Sequence, residues 1–124
     1  MGYSRIKSFA KINLALNITG KSFELHKIES IISFIDLHDI ILIKRSNNKN
    51  HKVKFNGEFS QNIKKKNTIS KLLDILEVKN LLKNIKYEIV IKKNIPSEAG
   101  LGGGSMNAAN VLKFLIKKKY YQYS

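Results

Sequence analysis

The residues with the clearest chemical meaning lie between Pro96 and Ala109, in the run Pro-Ser-Glu-Ala-Gly-Leu-Gly-Gly-Gly-Ser-Met-Asn-Ala-Ala. Gly100, Gly102, Gly103 and Gly104 are four of the chain's seven glycines, and Pro96 is its one proline. An alternating apolar run, Tyr87–Ile91, comes before this stretch, and a helical pattern, Asn107–Lys118, comes after it. Glycines at a strand-to-helix turn let the backbone approach a ligand closely. The helix start adds unpaired N–H groups at the positive end of its dipole. The chemistry this suits is phosphate binding. Two familiar phosphate loops do not fit: G-x-x-x-x-G-K-[ST] needs a lysine after the glycines, and G-x-G-x-x-G needs a glycine where Ser105 stands. A structural glycine turn that packs strand against helix would use the same residues, and that alternative stays open at this point.

The elements around this stretch must come from a short chain. Its 124 residues, 43% hydrophobic and 26% charged, are enough for one domain with a real core. The absence of cysteine excludes a disulfide scaffold and thiolate metal sites. No apolar run reaches the roughly 18–20 residues of a membrane span, and the N-terminus lacks the apolar core of a signal peptide. A cytoplasmic protein is the expectation. The net charge of +14 would ordinarily raise nucleic acid as a partner. Nearly all of it is lysine, with Arg5 and Arg45 the only arginines, whereas specific nucleic-acid sites recruit arginine for bidentate contacts. No nucleic-acid or membrane partner is therefore expected, and an anionic small molecule benefits from the same field.

In chain order, Ile6–Ile18 alternates and predicts a half-buried strand, with Ile12, Leu14, Leu16 and Ile18 on one face and Lys11 and Asn13 on the other. Ile28–Ile35 predicts a second strand, and Leu37-His38-Asp39 a tight connection into the β-branched run Ile40–Ile43. Ser46–Asn50 reads as a hairpin loop, Val53–Phe55 as the returning strand and Asn56-Gly57 as a turn. Asn67 or Thr68 caps a helix whose apolar face is Ile69, Leu72, Leu73 and Leu76. Ala108, Val111, Leu112, Leu115 and Ile116 share one face of the last helix, with Lys117–Lys119 at its C-terminal end. The class is α+β, with a mixed or antiparallel sheet and helices on one face.

Read together, Ala10-Lys11-Ile12-Asn13-Leu14, Phe34-Ile35-Asp36-Leu37-His38-Asp39, His26 and Pro96–Ser105 resemble the GHMP superfamily of small-molecule kinases. Within it, the resemblance is to the family that acts on 4-diphosphocytidyl-2-C-methyl-D-erythritol in non-mevalonate isoprenoid synthesis. The order and spacing of these pieces agree over residues 5–119. The resemblance implies a GHMP-kinase N-terminal fold that transfers phosphate from ATP, with Mg²⁺, to the substrate's 2-hydroxyl. It implies an ATP-phosphate site made of Pro96, Ser97, Glu98, Ala99, Gly100, Leu101, Gly102, Gly103, Gly104, Ser105 and Met106. Ser105 would lend a hydroxyl to phosphate or metal, and Lys93 would lie at the edge of the nucleotide. Lys11 matches the family's catalytic lysine, and Asn13 and His26 match its substrate contacts. Asn67 falls near the adenine, although a helix N-cap explains it equally well.

Three departures accompany the match. Met106 stands where the family has a second serine, and Leu25 where it has an aromatic before the turn histidine. The family's catalytic aspartate belongs to a Gly-Ala-Asp-Val-Pro segment that this sequence does not contain. The expectation is an N-terminal portion, residues 1–124, that is a poor catalyst alone. The competing readings are another GHMP kinase, an inactive remnant and a basic nucleic-acid-binding module.

Overall fold

A computed structural model describes residues 2–10, 36–61, 63–64, 66–96 and 103–122. Their elements are β1 (Ser4–Phe9), β2 (His38–Ser46), β3 (Lys52–Asn56), α1 (Thr68–Val78), β4 (Lys86–Lys92) and α2 (Gly103–Gln122). The four strands form one sheet in the order β1-β2-β4-β3. The pairs β1–β2 and β2–β4 are antiparallel, while β3 runs parallel to β4. The sheet is mixed and the class is α+β, as the pattern predicted.

The central strands are the most β-branched. Ile41 and Ile43 of β2 and Ile89 and Ile91 of β4 alternate with polar or half-exposed neighbours, and all four are completely buried. Pairing sets Ile41 opposite Ile91 and Ile43 opposite Ile89, and Phe55 and Val53 extend these rows onto β3. Fully burying such a side chain is worth roughly 1.5–3 kcal/mol. Helices α1 and α2 close this face through Ile69, Leu73, Leu76, Val111 and Leu115. The apolar face expected for α1 is the one it buries, with Leu72 partly covered.

Several expectations need correction. The polar loop after β2 does not make a hairpin, because β4 sits between β2 and β3. The strand β3 instead leads through α1 into β4 as a parallel β–α–β unit, which leaves the two most apolar strands as neighbours. His38 and Asp39 lie within β2 rather than in a connection to it. The last helix starts at Gly103, four residues before Asn107, and continues through Tyr120 and Tyr121 to Gln122. Ile116 points away from the core and is 57% exposed. Of the expected strand Ile6–Ile18, β1 (Ser4–Phe9) supplies residues 6–9, and residues 11–18 and 28–35, the latter expected as a second strand, lie outside the described residues.

Local chemistry fixes both ends of α1. The Asn67 side chain accepts the N–H groups of Ile69 and Ser70, and the Ser70 hydroxyl returns to the Asn67 N–H, giving a reciprocal capping box. At the other end Asn80 takes φ 54°, with Asn80 N–H bonded to Glu77 O and Leu81 N–H to Leu76 O. This is the Schellman arrangement that satisfies the last carbonyls. Glu77, in the last turn, accepts from Lys86 Nζ and His51 Nε2, both at 2.7 Å. His51 Nδ1 accepts the Tyr87 N–H at 3.0 Å, which puts the ring proton on Nε2.

Two outcomes follow. The hydrogen bonds from Lys86 and His51 hold the Glu77 carboxyl below its ordinary 4.5, against a smaller opposing effect of burial. A depressed folded value stabilises the fold above the unfolded pKa, and that contribution is lost as pH falls through the folded value. Glu77→Gln should therefore lower the thermal midpoint at pH 7, with the gap to the parent closing below about pH 4 in a pH series of melts. Gly57 adopts φ +93°, and a Cβ there would lie 2.8 Å from Lys93 O and 2.9 Å from Lys93 N. Gly57→Ala should destabilise by more than about 1 kcal/mol in denaturant titration; an unchanged midpoint would contradict this packing.

Candidate phosphate site at the start of the second helix

The inward face of the sheet changes character at one end. The row after Ile6, Ile41, Ile91 and Phe55 is Ser8, Asp39, Lys93 and Gly57, since the register that pairs Ile41 with Ile91 also aligns Asp39 with Lys93. Lys93 is 5% exposed, and Ser8 and Asp39 are fully buried. Lys93 Nζ donates to Asp39 Oδ2 at 2.6 Å and to Asn107 Oδ1 at 2.8 Å. Asn107 Nδ2 donates to Ser8 Oγ at 2.8 Å and to Asp39 Oδ2 at 3.1 Å, which fixes the orientation of its amide. Asp39 Oδ1 accepts the backbone N–H groups of Asn94 at 2.7 Å and Ile95 at 2.9 Å. No buried side-chain nitrogen or oxygen among the described residues lacks a partner. Removing one member of such a buried ion pair typically costs about 3–5 kcal/mol, because it leaves the other charge uncompensated.

The start of α2 sits on this row. Gly103 packs over Ile95 and Lys93, and an added Cβ would come 3.3 Å from Ile95 Cγ2 and 3.4 Å from Lys93 Nζ. The glycine at this position has a packing reason, as the structural-turn alternative expected for part of the stretch. Gly104 is different: it is exposed, and a Cβ there would meet only Thr68, at an ordinary 3.6 Å. Ser105 is also exposed, and the first turn of α2 carries no acid. Thr68, the first residue of α1, donates its hydroxyl to Gly104 O at 2.9 Å, so the two helices begin side by side. Two positive helix ends next to an exposed Gly-Ser pair form a surface that favours an anion.

Of the residues singled out from the sequence, the structure brings together Lys93, Pro96, Gly103, Gly104, Ser105 and Met106 at this end of the sheet. Ser105 and Met106 belong to the first turn of α2 and not to a loop. Lys93 is buried against Asp39 and Asn107 beneath the helix start. Asn67 is the N-cap of α1. Ala10, bonded to Leu37 O at 3.0 Å, brings β1 to the same end one residue before Lys11. Lys11, Asn13, His26 and Ser97–Gly102 lie outside the described residues. The roles of Ser8 and Asn107 were missed, and Asp39 was read only as part of a tight connection and of a matching segment. The available signal was positional. Asp39 lies two residues before Ile41 and Lys93 two after Ile91, so antiparallel pairing of these runs makes them face each other.

A cavity of about 310 Å³ lies elsewhere, lined mainly by Leu76, Leu82, Tyr87, Leu112 and Leu115, and shares no residue with this site. Among the described residues no group of three or more His, Cys, Asp or Glu could hold a metal ion, and no helix is long and apolar enough to cross a membrane.

Comparison with known proteins supplies the class. The family described as GHMP kinases N terminal domain matches residues 66–122, a span that contains α1, β4 and α2, and the fold is that of this domain. The chain is homologous to the N-terminal portion of proteins named 4-diphosphocytidyl-2-C-methyl-D-erythritol kinase. That of Pelagibacter ubique is 64% identical over 119 residues, covering 96% of this chain and 42% of the relative. That of Clostridioides difficile is 42% identical over 113 residues, covering 90% and 38%. That of Francisella tularensis subsp. novicida is 36% identical over 115 residues, covering 92% and 40%. The chain thus spans about two fifths of the length of these curated relatives.

Because Asn67 serves as a cap, Asn67→Ala should cost about 1 kcal/mol of stability and Asn67→Asp should restore most of it, as read from thermal midpoints.

Proposed function

We propose that this chain is the N-terminal, nucleotide-binding portion of a kinase that transfers the γ-phosphoryl group of ATP to the 2-hydroxyl of 4-diphosphocytidyl-2-C-methyl-D-erythritol. The observation that carries this reading is the exposed Gly104-Ser105 turn of α2, set against the start of α1, within the stretch that matches the GHMP kinases N terminal domain. The names of the relatives support this choice of acceptor.

In this reading residues 96–106 receive the ATP phosphates. The helix ends and backbone N–H groups offset their charge, and the Ser105 hydroxyl serves phosphate oxygen or the accompanying Mg²⁺. Phosphoryl transfer relies chiefly on positioning and charge stabilisation, which is what this arrangement of amides and dipoles can supply. Lys11 would orient the acceptor hydroxyl and stabilise the charge that develops there, with Asn13 and His26 holding the diphosphocytidyl part. The proton of the attacking hydroxyl would pass to a carboxylate that the family carries beyond the helix following its glycine segment, and the activity is assigned to the complete protein.

The test uses the product of the complete reading frame. ATP-dependent phosphorylation of the diphosphocytidyl substrate should be observed, with homoserine and mevalonate as control acceptors. Lys11→Ala should reduce kcat about 10²–10³-fold. Gly104→Ala isolates the phosphate site, because its Cβ has room and alanine favours the helix. It should leave the melting temperature equal or higher while raising KM for ATP several-fold. Absence of transfer by the complete protein, or transfer to a control acceptor in preference, would overturn the reading.

A further inference from the structure

We infer that Asp39 is a positioning residue for the proposed nucleotide site, because one carboxylate holds both flanks of the glycine segment. This rests on the reading under Proposed function. The plainer account makes Asp39 the counter-ion of buried Lys93, and that account explains only one of its oxygens. Oδ2 receives Lys93 Nζ and Asn107 Nδ2, while Oδ1 receives the backbone N–H groups of Asn94 and Ile95 and no side-chain cation. Four donors fill the lone-pair sites of a carboxylate. Asn94 and Ile95 come directly before Pro96, and Asn107 lies in the second turn of α2. The chain entering the segment and the helix leaving it therefore end on the two oxygens of one side chain.

Other bonds stiffen the same joint. Asn94 Nδ2 donates to His38 O at 3.1 Å, next to Asp39 in β2. Lys93 N–H donates to Asn56 O at 2.7 Å, and Phe59 N–H to Lys93 O at 3.3 Å. Asn110 Nδ2 donates to Ser8 Oγ at 3.2 Å, one helical turn beyond Asn107. The strands are fixed by their ladders, so the carboxylate transfers the rigidity of β2 to both flanks. A misplacement on the order of 1 Å in such a support can cost about 10²-fold in rate, which is why it is expected to register in nucleotide use.

The discriminating experiment compares two double variants in the complete protein, both without the ion pair. In Asp39→Asn/Lys93→Met the amide oxygen can still accept the Asn94 and Ile95 N–H groups, and its NH₂ can meet the Asn107 amide turned over. In Asp39→Ala/Lys93→Met both flanks lose their acceptor. The counter-ion account expects equal KM values for ATP. Positioning expects KM for ATP at least about tenfold higher in the alanine variant, with KM for the acceptor differing less than about threefold. Equal values would overturn the inference. Should the alanine variant fail to fold, Asn107→Ala tests the helix side alone while leaving the Lys93–Asp39 pair in place. It should raise KM for ATP about fivefold or more, and an unchanged KM would overturn the inference. Failure of the underlying reading appears separately, as an unmutated protein without ATP-dependent transfer.

Discussion

The described structure depends on one buried ion pair. Lys93 and Asp39 meet at 2.6 Å on the inward face of a sheet whose neighbouring row is apolar, under the start of α2. Two charges in such a place are tolerated only where the polar groups around them find partners, and no buried side-chain nitrogen or oxygen among the described residues lacks one. Lys93 spans Asp39 and Asn107, Asn107 spans Asp39 and Ser8, and Asp39 reaches back to the main chain at Asn94 and Ile95. Strands β1 and β2, the exit of β4 and the start of α2 are thereby joined at one point. An apolar row would have closed the core as well, but dispersion and burial are tolerant of small shifts in the helix. The hydrogen-bond geometry of the cluster is less tolerant, so it fixes where α2 begins as well as that it packs.

This constraint explains the uneven glycine chemistry. Gly103 must clear Ile95 and the Lys93 ammonium, and Gly57 must clear the Lys93 backbone, so both serve the cluster. Gly104 serves no such purpose, since ordinary space surrounds the position of its missing Cβ. Alanine favours a helix over glycine by up to about 1 kcal/mol, so the glycine at this exposed first-turn site carries a cost that packing does not explain. That contrast separates the structural glycine from the one available to a ligand. Under the proposed function the structural and phosphate-binding readings of the stretch are compatible, because adjacent residues would serve each.

Much of the fold was legible because its signals are local. The β-branched alternation of Ile40–Ile43 and Tyr87–Ile91, the Asn67 cap and the apolar face of α1 act over a few residues and reappear in the structure. What was misread depends on partners distant in sequence. The polar loop after β2 has the composition of a hairpin, and nothing local records that β4 will take the place between β2 and β3. The early start of α2 was hidden because consecutive glycines are poor helix formers; tertiary contacts through Thr68 and Asn107 outweigh that preference. Lys93 was legible as the approach to the glycine segment, but its burial was not, since the acid that neutralises it lies 54 residues earlier.

Under the proposed function, the same reasoning bears on what these residues would contribute to a kinase. A phosphoryl-transfer site needs little covalent chemistry from the protein but close control over where amides, dipoles and cations stand. The described residues gather their buried polar contacts at one place: the start of α2, the end of β1 just before Lys11 and the entry to the glycine segment meet at the Ser8–Asp39–Lys93 row, and the start of α1 joins through the Thr68–Gly104 bond. At the other end of α1, the Glu77, His51 and Lys86 cluster is partly open to water, where ion pairs stabilise weakly. A buried, fully partnered network at one end, and ordinary surface pairing at the other, is the distribution expected of a scaffold that would hold a polyphosphate in register with a second substrate. Under that reading the ion pair contributes less to the total stability than to placing the two flanks of one short segment.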